Sequence, residues 1–227
     1  MSVLSSVKKL LVPEGRRMRT IPFGIAGGLR MNLDLRNQSQ RFFGFDEREL
    51  FGPLRKLMPQ CRSMLDVGAN DGYYTLIFLR SGADRVVACE PSDAAERLLQ
   101  NAAANGFEPG DRFQIVPRFV GLEDGNASLT ELVRDLPGPV LIKLDVEGAE
   151  WDALKSIESC DRLGDLRWIV ETHSLELEEK CLGWFRAHGF FAEIIHNAWW
   201  RKLLPETRLV AHNRWLTAVP QNSAPSA

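Results

Sequence analysis

The sequence predicts an α/β domain, a doubly wound and mostly parallel sheet with an antiparallel pair near its C-terminus, and three observations predict it. Apolar strand-like runs alternate with helical patterns from residue 62 to residue 196, the mark of a parallel sheet covered on both faces. Glycines fall where a strand or helix has to stop, at Gly68, Gly82, Gly106 and Gly189. The last two strands are joined only by "NAWWRKLLPET", which is too short and Pro-interrupted for a crossover helix and reads as a hairpin loop.

The elements follow in order. "GIAGGLRMNLDLRN" reads as a turn and a short alternating strand, with Leu29, Met31, Leu33 and Leu35 on one face. "DERELFGPLRKLM" has Leu50, Leu54 and Leu57 at helical spacing, broken by Pro53. "RSMLDV" is a strand and "GYYTLIFLRSG" a helix; "RVVACE" is a strand, and "SDAAERLLQNAAANG" a helix that Ser92 or Asp93 can cap. "RFQIVP", "SLTELVRDL", "PVLIKLDV" and "GAEWDALKSI" continue the alternation. "LRWIVETH" is the fifth strand of the series, and "LELEEKCLGWFRAHG" a helix with Cys181, Leu182 and Phe185 inward. "FFAEIIH" and "RLVAHNRWLTAV" close the chain as strands.

A chain of 227 residues with 44% hydrophobic and 26% charged residues suffices for one domain with a filled core, and a net charge of -2 gives no overall bias toward nucleic acid or membrane. Residues 1–50 read as an N-terminal extension packed on the core, 51–220 as the main domain and 221–227 as a disordered tail. Residues 1–19 are basic, with Val3, Leu4, Val7, Leu10 and Leu11 at helical spacing; we read them as a helix or frayed arm docked on the domain rather than a membrane-surface helix. No segment has the length of a signal peptide or a membrane span, so stable membrane insertion is not expected. Cys61, Cys89, Cys160 and Cys181 lack paired spacing and suit reduced thiols in a cytoplasmic protein. In "AWWRKLL", the paired tryptophans read as a cap on the core edge.

The first strand of the series ends "LDVGANDGYYT", in which Asp66, Gly68 and Gly72 form D-x-G-x-x-x-G. Gly68 lets the chain turn sharply and lets a ligand approach the backbone. Asn70 stands where a dinucleotide fingerprint needs its second glycine, and no P-loop lysine is present. Glu90 ends the second strand, where a carboxylate can accept both hydroxyls of a ribose. In a strand–loop–helix–strand frame this points to a nucleoside-like cofactor.

"DVGANDG" and "ACEPS" resemble the glycine loop and ribose acid of class I S-adenosylmethionine-dependent methyltransferases. With "LIKLDVEGAEWDAL" and "IVETH", the chain looks like the FkbM family from about Phe42 to Phe190, about two-thirds of its length. The resemblance implies a Rossmann-like seven-stranded sheet with one antiparallel strand. It implies S-adenosylmethionine as cofactor, with Asp66, Gly68, Ala69, Asn70 and Gly72 toward its methionine part, Glu90 on the ribose and Pro91 against the adenine. "PRFVGLED" departs from the family, having Arg118 or Phe119 where a small residue is expected.

The fourth strand of such a sheet lies beside the first, so Lys143, Asp145 and Glu147 would line a polar cleft rather than apolar core. Acids at Glu147 and Glu150 also complement the positive end of the next helix, and Lys143 can pair with Asp145 or Glu171. Asp145 is the first candidate to take or orient an acceptor's hydroxyl proton. His173 is the second, sharing a strand face with Glu171. A divalent metal on Asp145, Glu147 and Glu171 is conceivable, but a paired Lys143 argues against it and no metal is expected. The expected reaction is O-methylation of a small-molecule, sugar or glycolipid-like acceptor by direct displacement. N- or carboxyl-methylation and a non-catalytic cofactor-binding module are the alternatives. A nucleic-acid base is not the expected target, because the Asn/Asp-Pro-Pro-aromatic tetrapeptide is missing.

Overall fold

The computed structural model describes residues 14–197 and 212–221. The basic run before residue 14, the "AWWRKLL" segment and residues 222–227 lie outside the described residues. The chain begins with an antiparallel ribbon, β1 (Arg17–Thr20) and β2 (Arg30–Leu33). Next come α1 (Leu35–Phe42) and α2 (Phe51–Leu57), the latter entered through a 3₁₀ turn at Arg48–Leu50. The main body alternates β3 (Ser63–Val67), α3 (Tyr73–Arg80), β4 (Arg85–Cys89), α4 (Ala94–Ala104), β5 (Phe113–Val116), α5 (Leu129–Val133), β6 (Val140–Leu144), α6 (Glu150–Lys155), β7 (Leu166–Thr172) and α7 (Leu175–Ala187). It ends with β8 (Phe190–Ile195) and β9 (Arg214–Pro220).

The seven-stranded sheet has the order β5-β4-β3-β6-β7-β9-β8. Only β9 runs antiparallel, inserted between β7 and β8, as the short final connection requires. Chain order reverses between β3 and β6, the place where an open α/β sheet leaves a crevice beyond its carboxyl ends. Period-two alternation divides the strand residues between two cores. Met64, Val86, Leu141 and Ile169 enter one; Leu65, Val67, Ile142, Leu144 and Val170 enter the other. Helix α3 is buried from Tyr73 to Leu79, in a core shared with Leu29, Met31 and Leu33 of the N-terminal segment and with Leu50 and Leu54 of the turn and helix that follow. Arg80 ties α3 to the N-terminal segment by donating to the carbonyls of Gly27 and Ile25.

Three expectations are corrected near the N-terminus. Arg17–Thr20 is a strand rather than a helix or frayed arm, paired edge to edge with β2. Leu35 does not extend the alternating strand; it opens α1, because the Asp34 side chain accepts from the Arg36 N–H and caps a helix there. Pro53 does not break its helix. It is the third residue of α2, where its missing N–H would have had no intrahelical partner.

Candidate active site

A cavity of about 740 Å³ opens beyond the carboxyl ends of β3, β4 and β6. Its floor is the β3–α3 turn. Gly68 has φ 75°, and a Cβ there would lie 1.8 Å from the Asp145 carbonyl oxygen, so β3 and β6 close on each other only through a glycine. Gly72, also left-handed, caps α3, and a Cβ on it would meet Leu98 Cγ at 2.8 Å. Gly72 thus packs α3 against α4 and does not line the cavity, whereas Gly68, Ala69 and Asn70 do.

Four of the turn's N–H groups are spent inside the protein. Those of Gly68 and Ala69 donate to the Cys89 carbonyl and that of Gly72 to the Ala69 carbonyl. The Asn70 N–H donates to Glu90 Oε2 at 2.7 Å, with Asn70 itself left-handed at φ 48°. Glu90 Oε1 accepts from the Ser92 N–H (3.0 Å) and hydroxyl (2.5 Å). Glu90 and Pro91 are on the cavity wall, and the carboxylate is held at both oxygens by short bonds.

The charged strand resolves into a buried network. Asp66 and Lys143 are register partners on β3 and β6, so their side chains leave the sheet side by side. Lys143 Nζ lies 3.3 Å from Asp66 Oδ1, 3.2 Å from Asp145 Oδ2 and 3.1 Å from the Gly68 carbonyl to which it donates. Thr75 donates to the other Asp66 oxygen at 2.7 Å. Asp66 therefore sits behind the cavity wall, anchoring Lys143. Burial disfavours the Lys143 ammonium, but Asp145, Asp66 and Glu47 outweigh it and raise its pKa. Burial pushes the Asp145 carboxyl up; Lys143 and a hydrogen bond from Glu171 outweigh that and hold it below the usual carboxylate range. Asp145, 25% exposed, and Glu147, left-handed at φ 22°, both face the cavity.

His173 is buried behind that wall. Its Nδ1 contacts the Glu150 carboxylate, while Nε2 lies 3.6 Å from Glu171 Oε2 and 4.0 Å from Asp145 Oδ1. Burial opposes charge on the ring, but Glu150, Asp145 and Glu147 outweigh it and raise its pKa. Among the described residues, Asp145, Glu171 and His173 bring three ligand-capable atoms within 4.8 Å of one another. His173 thus takes the place that the sequence reading assigned to Glu147.

Sequence reasoning missed a second set of residues, all brought in by the N-terminal segment. Asp71, buried in the glycine loop, accepts from Arg41 (2.8 Å) and Gln38 (2.9 Å), clamping α1 onto the site. Glu47, left-handed at φ 45° and half-buried, accepts from the Tyr74 hydroxyl at 2.5 Å. Arg41, Glu47 and Tyr74 all line the cavity. The acidic residue of "DVGANDG" was a signal for Asp71; nothing local announces Glu47, which meets the site only through tertiary closure.

This sheet order, glycine turn and strand-end acid define the Rossmann-like fold of class I methyltransferases. No protein-family model and no curated protein sequence matches the chain. Solved structures do. The ribosomal protein L11 methylase of Lactobacillus delbrueckii subsp. bulgaricus is 16% identical, with 77% of each chain covered and a TM-score of 0.52. The methyltransferase FkbM of Methylobacillus flagellatus KT is 18% identical over 70% of this chain and 44% of its own, with a TM-score of 0.52. An rRNA methylase of Streptococcus thermophilus is 13% identical over 77% of this chain and 97% of its own, with a TM-score of 0.50. At these identities the likeness is one of fold. It does not single out the FkbM family, and the names on this one fold span a protein, an RNA and an unspecified acceptor. The expectation that nucleic acid is not the target therefore gains nothing from the fold. Among the described residues no helix is long and apolar enough to cross a membrane.

Proposed function

We propose that this chain is an S-adenosylmethionine-dependent methyltransferase of FkbM type, methylating a hydroxyl oxygen of a small-molecule or carbohydrate acceptor. The observation that carries the reading is the fate of the glycine loop's N–H groups. In dinucleotide-binding folds such groups face a pyrophosphate. Here those of Gly68, Ala69, Asn70 and Gly72 are all engaged within the protein, and the Glu90 carboxylate stands at the loop's open side. At the loop a phosphate would find these four donors taken and the Glu90 carboxylate beside them.

The donor set fits S-adenosylmethionine instead. Glu90 and Pro91 would hold its nucleoside end, and Gly68, Ala69 and Asn70 would pass beside the amino-acid end. Glu47, Asp145 and Glu147 form an acidic wall suited to a ligand bearing ammonium and sulfonium charges. When bound, the cofactor supplies an electrophilic methyl group. Asp66 and Gly72 would serve by positioning, through Lys143 and α3. Residues 51–220 would be the catalytic domain, with the 1–50 extension completing the wall.

Isothermal titration tests the reading. S-adenosylmethionine is expected to bind and NAD not to, and Glu90→Ala is expected to weaken binding by about 10- to 100-fold, for one or two lost charge-assisted hydrogen bonds. Absence of binding to the folded wild-type protein, or an unchanged affinity in Glu90→Ala, would overturn it.

A further inference from the structure

An alcohol acceptor has to lose its proton, and neither sequence candidate is placed to take it. Asp145 is neutralised by Lys143 at 3.2 Å and held below its usual pKa range, which makes it a weak base. His173 is off the cavity wall, with one ring nitrogen engaged by Glu150 and the other turned toward Glu171 and Asp145. Glu47 lies on the cavity wall and reaches it from outside the sheet, on the segment between α1 and α2. Its backbone is left-handed, a conformation costly for a residue with a Cβ and often retained at functional sites. Arg41 holds the approach in place through Asp46 and Asp71, both at 2.8 Å.

Building on the methyltransferase reading above, we propose that Glu47 is the catalytic base, with the Tyr74 hydroxyl orienting its carboxylate toward the acceptor. Glu47 takes the acceptor's O–H proton while that oxygen's electron pair forms the bond to the methyl carbon. The carbon–sulfur pair returns to sulfur, so a neutral alcohol, a sulfonium and a carboxylate become an ether, a sulfide and a carboxylic acid. Among the described residues, the groups facing Glu47 include Asp46, Asp145, Tyr73, Tyr74, Arg41 and Lys143. Burial, with Asp46 and Asp145, raises its pKa to about 7 against the opposing pull of Tyr74 and Arg41. A base poised there is half ionised near neutrality, where proton abstraction is most effective.

The test has two arms on the full chain. In protein labelled with ¹³C at the glutamate carboxylates, NMR is expected to show one resonance with a midpoint near pH 7 that is absent from Glu47→Gln. Tyr74→Phe is expected to move that midpoint upward, since the hydroxyl's bond favours the carboxylate. In the second arm, release of S-adenosylhomocysteine from S-adenosylmethionine is followed with a panel of sugars, polyols and phenols. Glu47→Gln is expected to slow it by about 10²- to 10⁴-fold at saturating S-adenosylmethionine, where any loss of cofactor affinity does not enter the rate. A Glu47 midpoint below about pH 5, or turnover of Glu47→Gln within threefold of wild type, overturns the assignment. The titration decides alone where no panel member is methylated. Failure of wild-type protein to bind S-adenosylmethionine would instead remove the methyltransferase reading itself.

Discussion

Lys143 holds Asp66, Asp145 and the Gly68 carbonyl with one ammonium group, all within 3.3 Å. Removing it leaves Asp66 buried with no cation beside it. Lys143→Met is therefore expected to cost about 3–5 kcal/mol, read as a lower urea midpoint with an unchanged slope. Gly68→Ala acts on the same junction from the other side. Its Cβ would overlap the Asp145 carbonyl at 1.8 Å in a left-handed conformation, so a loss of several kcal/mol is expected. Thermal unfolding would report it, and a variant as stable as wild type would mean the two strands have room to part. The charge on this strand was legible in the sequence, because its alternation with apolar residues was plain. The choice of Asp66 over Glu171 as the second partner of Lys143 was not. It follows from the β3–β6 register, which pairs positions 66 and 143 across 77 residues of chain.

Among the elements, the strands and helices from β3 to α7 were legible because glycines and capping residues punctuate a strong periodicity. Ser128 and Ser174 cap α5 and α7 through their side chains. Strand β2 was legible from the alternation of Leu29, Met31 and Leu33, but its partner β1 and helix α1 were not. "RMRT" has little apolar alternation, and "LRNQSQRF" shows no buried residue. Helix α1 is held by hydrogen bonds from Gln38 and Arg41 to Asp71 and by partly buried Leu35 and Phe42 at its two ends. Asp71→Asn is expected to weaken that clamp by about 2 kcal/mol and to speed amide hydrogen exchange across residues 35–42 while β3 and β6 stay protected. Uniform exchange across wild type and variant would show that apolar packing, not Asp71, secures the helix.

For the whole molecule, the buried titrating groups set a pH profile. Glu47 rises from 4.5 to about 7 on folding, so its protonated form is favoured by the native state. That contribution is present below pH 4.5 and lost as pH climbs through 7. His173 is also raised above its ordinary 6.5, so its contribution is complete below that value and lost at higher pH. Asp145 is depressed from 3.8, and its contribution is lost only as pH falls below that value. The urea midpoint is therefore expected to be highest at about pH 4–6 and to decline toward pH 8, and Glu47→Gln to flatten the decline by an amount on the order of 2 kcal/mol. A midpoint that rises steadily to pH 8 would contradict this arrangement. The parallel run and the antiparallel closing pair were legible, the latter from loop length, but the insertion of β9 between β7 and β8 was not. The far wall of the cavity was not, because it is assembled from a segment that joins the sheet only after folding.

That separation has an evolutionary corollary. The tips of β3, β4 and β6 are bound to each other by register and by a glycine that tolerates no side chain, so they have little freedom to vary. The stretch from Asp34 to Glu47 touches them through a few polar handholds on Asp71 and Tyr74. Such a stretch can change its sequence, provided the handholds are kept, and reshape its side of the cavity while the half formed by the strand tips stays as it is.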